Sequence, residues 1–160
     1  MSKKNIVLKS SDAMIFEVEE VVALQSETIA YMIEEDCASN TIPLANVTGN
    51  ILALVIEYWK KHVIIADGDG GGSSSSSQED LKSWDAQFMN DLDEQKIFNL
   101  MLAAHFLNIK TLVDLTCQFV VDTMIKCKTV EEIRRNLNIE KDYTSEEEAE
   151  LRRENEWAFK

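Results

Sequence analysis

Between Asp93 and Met124 the chain carries a segment that cannot be an ordinary surface helix. Ile97, Leu100, Met101, Ala104 and Leu107 recur at intervals of three and four, which places them on one side of a helical cylinder. Phe98, Leu102, His105 and Phe106 form a second stripe around the same cylinder. A helix that is apolar nearly all round has to be covered on more than one side. The cover is either the rest of its own domain or another protein, and the function of the chain turns on which.

A chain of 160 residues makes one domain, or one compact domain with an appendage, and can bury a real core. With 45% apolar and 28% charged residues it reads as folded rather than disordered. The net charge of −13 argues against nucleic acid and anionic membrane surfaces as partners, because phosphate is held by clustered Lys and Arg and none cluster here. That acidity serves solubility, or it attracts a basic partner over distance. Cys37, Cys117 and Cys127 are odd in number, widely spaced and set among apolar residues, as packing residues of a reducing compartment are. The first residues, Met1 to Leu8, turn strand-like without an apolar run of signal-peptide length, and no stretch is long enough to cross a bilayer. The expected location is nucleus and cytoplasm.

Taken in order, Ile6–Leu8 and Met14–Val18 are two short strands joined by the turn chemistry of Lys9 to Ala13. Ala13 is the weak point of that hairpin, since glycine would tolerate a positive φ there better. Glu19–Leu24 reads as a short helix, and Ser26 caps a second one through Ile33, with Ile29, Met32 and Ile33 on one face and Glu34-Glu35-Asp36 closing it. Thr41–Leu44 reads as a third strand, which Pro43 confines to an edge or a bulge. Ile51, Leu52, Val55, Ile56, Trp59 and Val63 give a core helix reaching about His62. Asp67–Gln78, rich in Gly and Ser, reads as a flexible insert without fixed conformation. An amphipathic helix resumes over Glu79–Met89 through Leu81, Trp84 and Phe88, and Asp91 or Asp93 caps the central helix. After a break at Asn108–Lys110, Leu112, Leu115, Phe119, Val120 and Met124 make the apolar face of the next helix.

The last part differs in kind. Thr129-Val130-Glu131-Glu132 and Thr144-Ser145-Glu146-Glu147 are two capping boxes. The first leads a helix bearing Ile133 and Leu137; the second leads one to about Glu156 with only Ala149 and Leu151 as apolar residues along it. A helix so poorly anchored is marginal by itself, and Tyr143, Trp157 and Phe159 around it are candidates for interface anchoring, Trp157 first.

Residues suited to chemistry are scarce. His62 follows Lys60 and Lys61 at the expected end of a helix, where a cation suits the dipole, and His105 stands among apolar residues as a packing or interface group. Asp67-Gly68-Asp69-Gly70 is neither a phosphate loop nor an EF-hand: no Gly-Lys-Ser/Thr follows, and the third and last ligand positions are Gly71 and Gln78. Glu146-Glu147-Glu148 is a solvated first helical turn. No enzyme is expected, and no cofactor or metal.

On these residues the chain resembles the Skp (S-phase kinase-associated protein) adaptor family of Skp–cullin–F-box ubiquitin ligases. The likeness rests on I-V-L-K-S-S-D with F-E-V-E-E, on L-A-A-H-F-L-N-I-K with L-T-C-Q, and on E-E-I-R, N-I-E-K-D-Y-T and R-R-E-N-E-W, and the variants are most similar to plant members. It covers nearly all of the chain outside Ile64–Ser77. The resemblance implies an α+β, mainly helical BTB/POZ fold: a small three-stranded sheet wrapped by helices over residues 1–126, insert 67–78 included, with two extra F-box-binding helices over 127–160. It implies an adaptor without chemistry of its own, bridging F-box proteins to the cullin amino-terminal domain, the RING subunit entering only through the cullin. Carried onto this chain, the cullin-facing pair falls on His105 and Phe106, where the family usually has Asn-Tyr. Cys127-Lys128-Thr129-Val130 stands where Gly-Lys-Thr-Pro is usual. The F-box surface would draw on Phe119, Val120, Met124, Ile133, Leu137, Ile139, Tyr143, Leu151 and Trp157, with Asn155 as a polar contact. The alternative is a BTB-type scaffold whose exposed apolar surface pairs with itself.

Overall fold

The computed structural model describes residues 4–35, 41–66, 74–126 and 128–158. The chain divides into two compact units, Met1–Phe119 and Val120–Lys160.

The first unit is built on strands β1 (Asn5–Ser10), β2 (Ile15–Glu19) and β3 (Ile42–Leu44) in the order β2-β1-β3. β1 and β2 pair antiparallel, with Leu8 opposite Phe16, and β1 and β3 pair parallel, with Leu8 opposite Ile42. Alternation along β1 sends Ile6, Leu8 and Ser10 inward. Pro43 has no N–H to give a ladder, and it sits where that costs least, in the middle of the three-residue edge strand. At the hairpin turn Ala13 has φ 65°, the left-handed conformation expected to trouble a residue with a Cβ. The Asp12 carboxylate secures the turn by accepting from the Ser10 hydroxyl and, at 2.8 Å, from the Gly49 N–H. Those bonds, Ser10 first, hold its carboxyl below the usual carboxylate range.

Helices α1 (Glu20–Ala23) and α2 (Glu27–Glu34) follow the hairpin. The Ser26 hydroxyl caps α2 by accepting from the Ile29 N–H at 3.2 Å, and Ile29 is fully buried beneath it. Asp36, expected to help close α2, lies outside the described residues. Helix α3 (Gly49–Ala66) runs through the core with Leu52, Val55 and Trp59 wholly inside. It extends past the expected end at His62, because no Gly or Pro interrupts Val63 to Ala66. His62 is therefore an interior helical residue rather than a terminal one.

Helix α4 (Ser74–Asn90) begins earlier than expected. Serine disfavours a helix only mildly, so a serine run is no barrier once a helix has grown back to it. Ser74–Gln78 are thus helical, a correction to the flexible reading, while 67–73 lie outside the described residues. The side chains of α4 and α3 meet in an aromatic cluster. Trp84 stacks on Phe88 with centroids 4.9 Å apart, and His62 stacks on Tyr58 at 3.8 Å. Helices α5 (Glu94–Phe106) and α6 (Lys110–Val120) complete the unit.

The second unit opens with a π-helical turn, Val121–Ile125, in which the Lys126 N–H reaches the Val121 carbonyl at 2.7 Å. Nothing in the sequence marks that widening. Helices α7 (Val130–Asn136) and α8 (Ser145–Glu154) then start at the two expected capping boxes, with Thr129 and Glu132, then Thr144 and Glu147, bonding reciprocally. A short 3₁₀ turn, Glu156–Ala158, ends the described chain. Cys117 is exposed, which corrects its reading as a packing residue; Cys37 and Cys127 lie outside the described residues.

Candidate docking surfaces

In the first unit the candidate surface is the outer side of α5. Asp93 caps the helix by accepting from the Lys96 N–H at 2.8 Å, so Asp93, not Asp91, is the cap. Capping fixes the rotation of the helix, and the inner stripe of Ile97, Leu100, Ala104 and Leu107 is buried together with Ala103. The second stripe is not covered to the same extent. Leu102 is 65% exposed, His105 is exposed, and Phe98 and Phe106 are half-buried. The helix is thus wrapped by its own domain on one side and open on the other. Leu102 borders a small cavity of about 130 Å³ whose walls include Val47, Ile51 and Asn99. Leu102 is a surface residue that sequence reasoning placed on the second stripe without assigning it a role. Its signal was an apolar side chain on the same stripe as His105 and Phe106.

The end of α5 is held by α2. The Thr28 hydroxyl donates to the Phe106 carbonyl at 3.2 Å, and the fully buried Ser26 hydroxyl donates to the Leu107 carbonyl at 2.5 Å. Asn108 turns the chain with φ 51° and donates to Glu27, which also accepts from Lys110 at 2.5 Å.

In the second unit neither α7 nor α8 has a buried residue. Large apolar side chains on and around them face water: Trp157 in the following 3₁₀ turn is 78%, and Tyr143 and Ile139 in the connection between them 56% and 51% exposed, and Leu151 on α8 and Val130 on α7 are exposed too. Ile133 and Leu137 are half-buried, as is Asn155, which donates to the Leu151 carbonyl at 2.9 Å. Val120 and Met124 are buried in this chain, as some of the expected docking positions had to be. Phe119, the last residue of the first unit, is half-buried. Val130 was not among the expected positions; its signal was an apolar residue in the first turn of a helix with little else to cover it.

What fixes α7 against α8 is charge rather than burial. Glu148 pairs with Arg152 at 3.1 Å and with Arg134 and Lys141 at 3.4 Å each. The Arg152 hydrogen bond leads the effects that hold the Glu148 carboxyl below its ordinary range. Glu132 and Glu147 are lowered first by the backbone N–H groups of Thr129 and Thr144. Arg152 also approaches Glu131 at 3.7 Å.

Among the described residues no three His, Cys, Asp or Glu side chains are grouped to hold a metal ion, and no helix is long and apolar enough to cross a membrane.

A small mixed sheet surrounded by helices, followed by a helical extension, defines a POZ-type domain of the mainly helical α+β class. The chain belongs to the Skp1 family. Residues 4–64 match the Skp1 family tetramerisation domain and residues 110–158 the Skp1 family dimerisation domain. SKP1-like protein 1A of Arabidopsis thaliana is 58% identical, with 99% of each chain covered. SKP1-like protein 1 of Oryza sativa subsp. japonica is 58% identical, covering 98% of this chain and 96% of the relative. The likeness to plant members is therefore full-length.

Proposed function

We propose that the chain is the adaptor of a Skp–cullin–F-box E3 ubiquitin ligase. The face of α7 and α8 takes the F-box of a substrate receptor, and the outer side of α5 around His105 and Phe106 takes the cullin amino-terminal domain. Ubiquitin transfer belongs to other subunits, the RING subunit arriving through the cullin, and the outcome for the substrate is proteasomal degradation. The role places the protein in nucleus and cytoplasm.

The observation that carries this reading is the second unit itself. Two capped helices bury no residue of their own, and Leu151 on α8 stands exposed together with Ile139 and Tyr143 in the connection between them and Trp157 in the turn that follows. Apolar side chains offered together on a pre-ordered helical frame suit a partner that brings its own apolar face. Membership of the Skp1 family supports an F-box as that partner.

The test is capture of an F-box domain and of a cullin amino-terminal fragment, each scored separately. Trp157→Ala is expected to weaken F-box binding at least about tenfold, as large aromatic anchors do, and to leave cullin binding alone. Phe106→Ala is expected to do the reverse. A chain that captures neither fragment, or that sediments as a tight dimer excluding the F-box, would replace this reading with a self-associating scaffold.

A further inference from the structure

Given the docking role proposed above for His105 and Phe106, we infer that Ser26 and Thr28 are positioning residues for it: the start of α2 holds the end of α5 in the pose that presents those two side chains.

A helix leaves its last carbonyls without intrahelical donors, and each needs another partner. In α5 most are met locally. Leu107 N–H serves Ala103 and His105, Ile109 N–H serves Ala104 at 2.9 Å, and Asn108 N–H also serves His105 at 3.1 Å. The carbonyls of Phe106 and Leu107 come next, and hydroxyls from α2 take them: Thr28 takes Phe106 and Ser26 takes Leu107. The Ser26 hydroxyl works at both helices, since it accepts from the Ile29 N–H at 3.2 Å while donating to Leu107. The amino-terminal end of α2 thereby meets the carboxy-terminal end of α5, where the partial charges of the two helices attract.

Phe106 is thus tied through its own backbone by a side chain from a segment far away in sequence. Its ring is half-buried, and the neighbouring His105 and Leu102 face outward. A docking side chain gains affinity from being held before the partner arrives, so loosening the tie weakens binding without removing a contact atom. Glu27 differs in weight. It reaches Asn108 and Lys110 from the surface, and such exposed pairs contribute little.

The experiment measures cullin-fragment and F-box affinity on the full chain carrying Thr28→Val, which keeps the shape and removes the hydroxyl. Ser26 is not the first choice, because its loss also uncaps α2. The expected result is a fall in cullin affinity of about three- to tenfold, seen mainly in the off-rate, with F-box affinity unchanged. Amide exchange around Phe106 to Asn108 should quicken in the same variant. Thr28→Ser should restore cullin binding to within about twofold, and Glu27→Gln should change it by less than about twofold. If Thr28→Val binds the cullin fragment like the unaltered chain while Phe106→Ala does not, the positioning role is wrong and the docking role stands. If Phe106→Ala has no effect, the docking role fails and the positioning role with it. A parallel loss of F-box and cullin binding in Thr28→Val would mark a general loss of fold and equally overturn the inference.

Discussion

His62 lies between two acceptors. Its Nδ1 is 2.9 Å from the Tyr58 carbonyl oxygen, which can only accept, so Nδ1 carries a hydrogen. Its Nε2 is 3.4 Å from Oδ1 of Asp85, and only a second proton, on the ring or on the carboxyl, makes that approach attractive. At this distance the contact is too long for a well-aligned hydrogen bond, and Asp85 Oδ1 is buried without a hydrogen-bond partner among the described residues. Burial consequently outweighs the attraction of His62 and raises the Asp85 carboxyl above its ordinary value. A carboxyl with a raised folded-state pKa stabilises the fold while protonated, and that contribution disappears as pH rises through the raised value. Asp85→Asn should therefore gain in melting temperature relative to the unaltered protein as pH is taken from about 4 towards 7. A difference that moved the other way would mean that the pair with His62 stabilises more than burial costs. None of this was legible in the sequence, because the approach depends on α3 and α4 lying side by side, which no local signal specifies.

At the scale of elements, local rules were sufficient wherever a terminus or turn carried its own chemistry. The hairpin, the positive φ of Ala13, the Ser26 cap, the edge position of Pro43 and both capping boxes are each decided by residues within a few positions of one another. Helix lengths were not, since the apolar periodicity that marks α3 and α4 stops short of their ends, and the added residues 63–66 and 74–78 carry only the absence of a breaker or a weak propensity. The π-helical turn at Val121–Ile125 has no sequence mark at all. Of the candidate surfaces, exposure at Trp157 and Tyr143 follows from a helix with almost no apolar stripe, whereas burial of Val120 and Met124 needed the fold. Since α7 and α8 bury nothing, their caps should matter more than usual. Thr144→Ala should cost about 1 kcal/mol of local stability and quicken amide exchange over Ser145–Glu154, leaving the first unit unaffected. The lowered carboxyls of Glu132, Glu147 and Glu148 act in the same direction: their contribution is complete above the ordinary carboxylate range and disappears as pH falls through their lowered values. Helical signal from this unit should accordingly fade on acidification. Helicity that persisted to pH about 2 would show that the caps do not hold it.

For the whole molecule, the division into two units sets the main expectation. The candidate F-box face lies mostly in the second unit and the cullin pair lies in the first, so neither partner competes for the other's residues. Saturating one should leave the affinity for the other within about twofold, as sites without shared contacts behave. Titration calorimetry of the cullin fragment into the chain, with and without bound F-box, measures that ratio. A tenfold change in either direction would reveal coupling between the sites.

The two terminal helices draw their order from threonine caps and from one glutamate gathering three basic side chains, not from a sealed interior. Their outward residues consequently carry little responsibility for keeping the chain folded. On the proposed role, replacements there would retune which receptor is preferred while the framework persists, giving this end of the molecule a latitude that Trp59 and its neighbours in the core do not have.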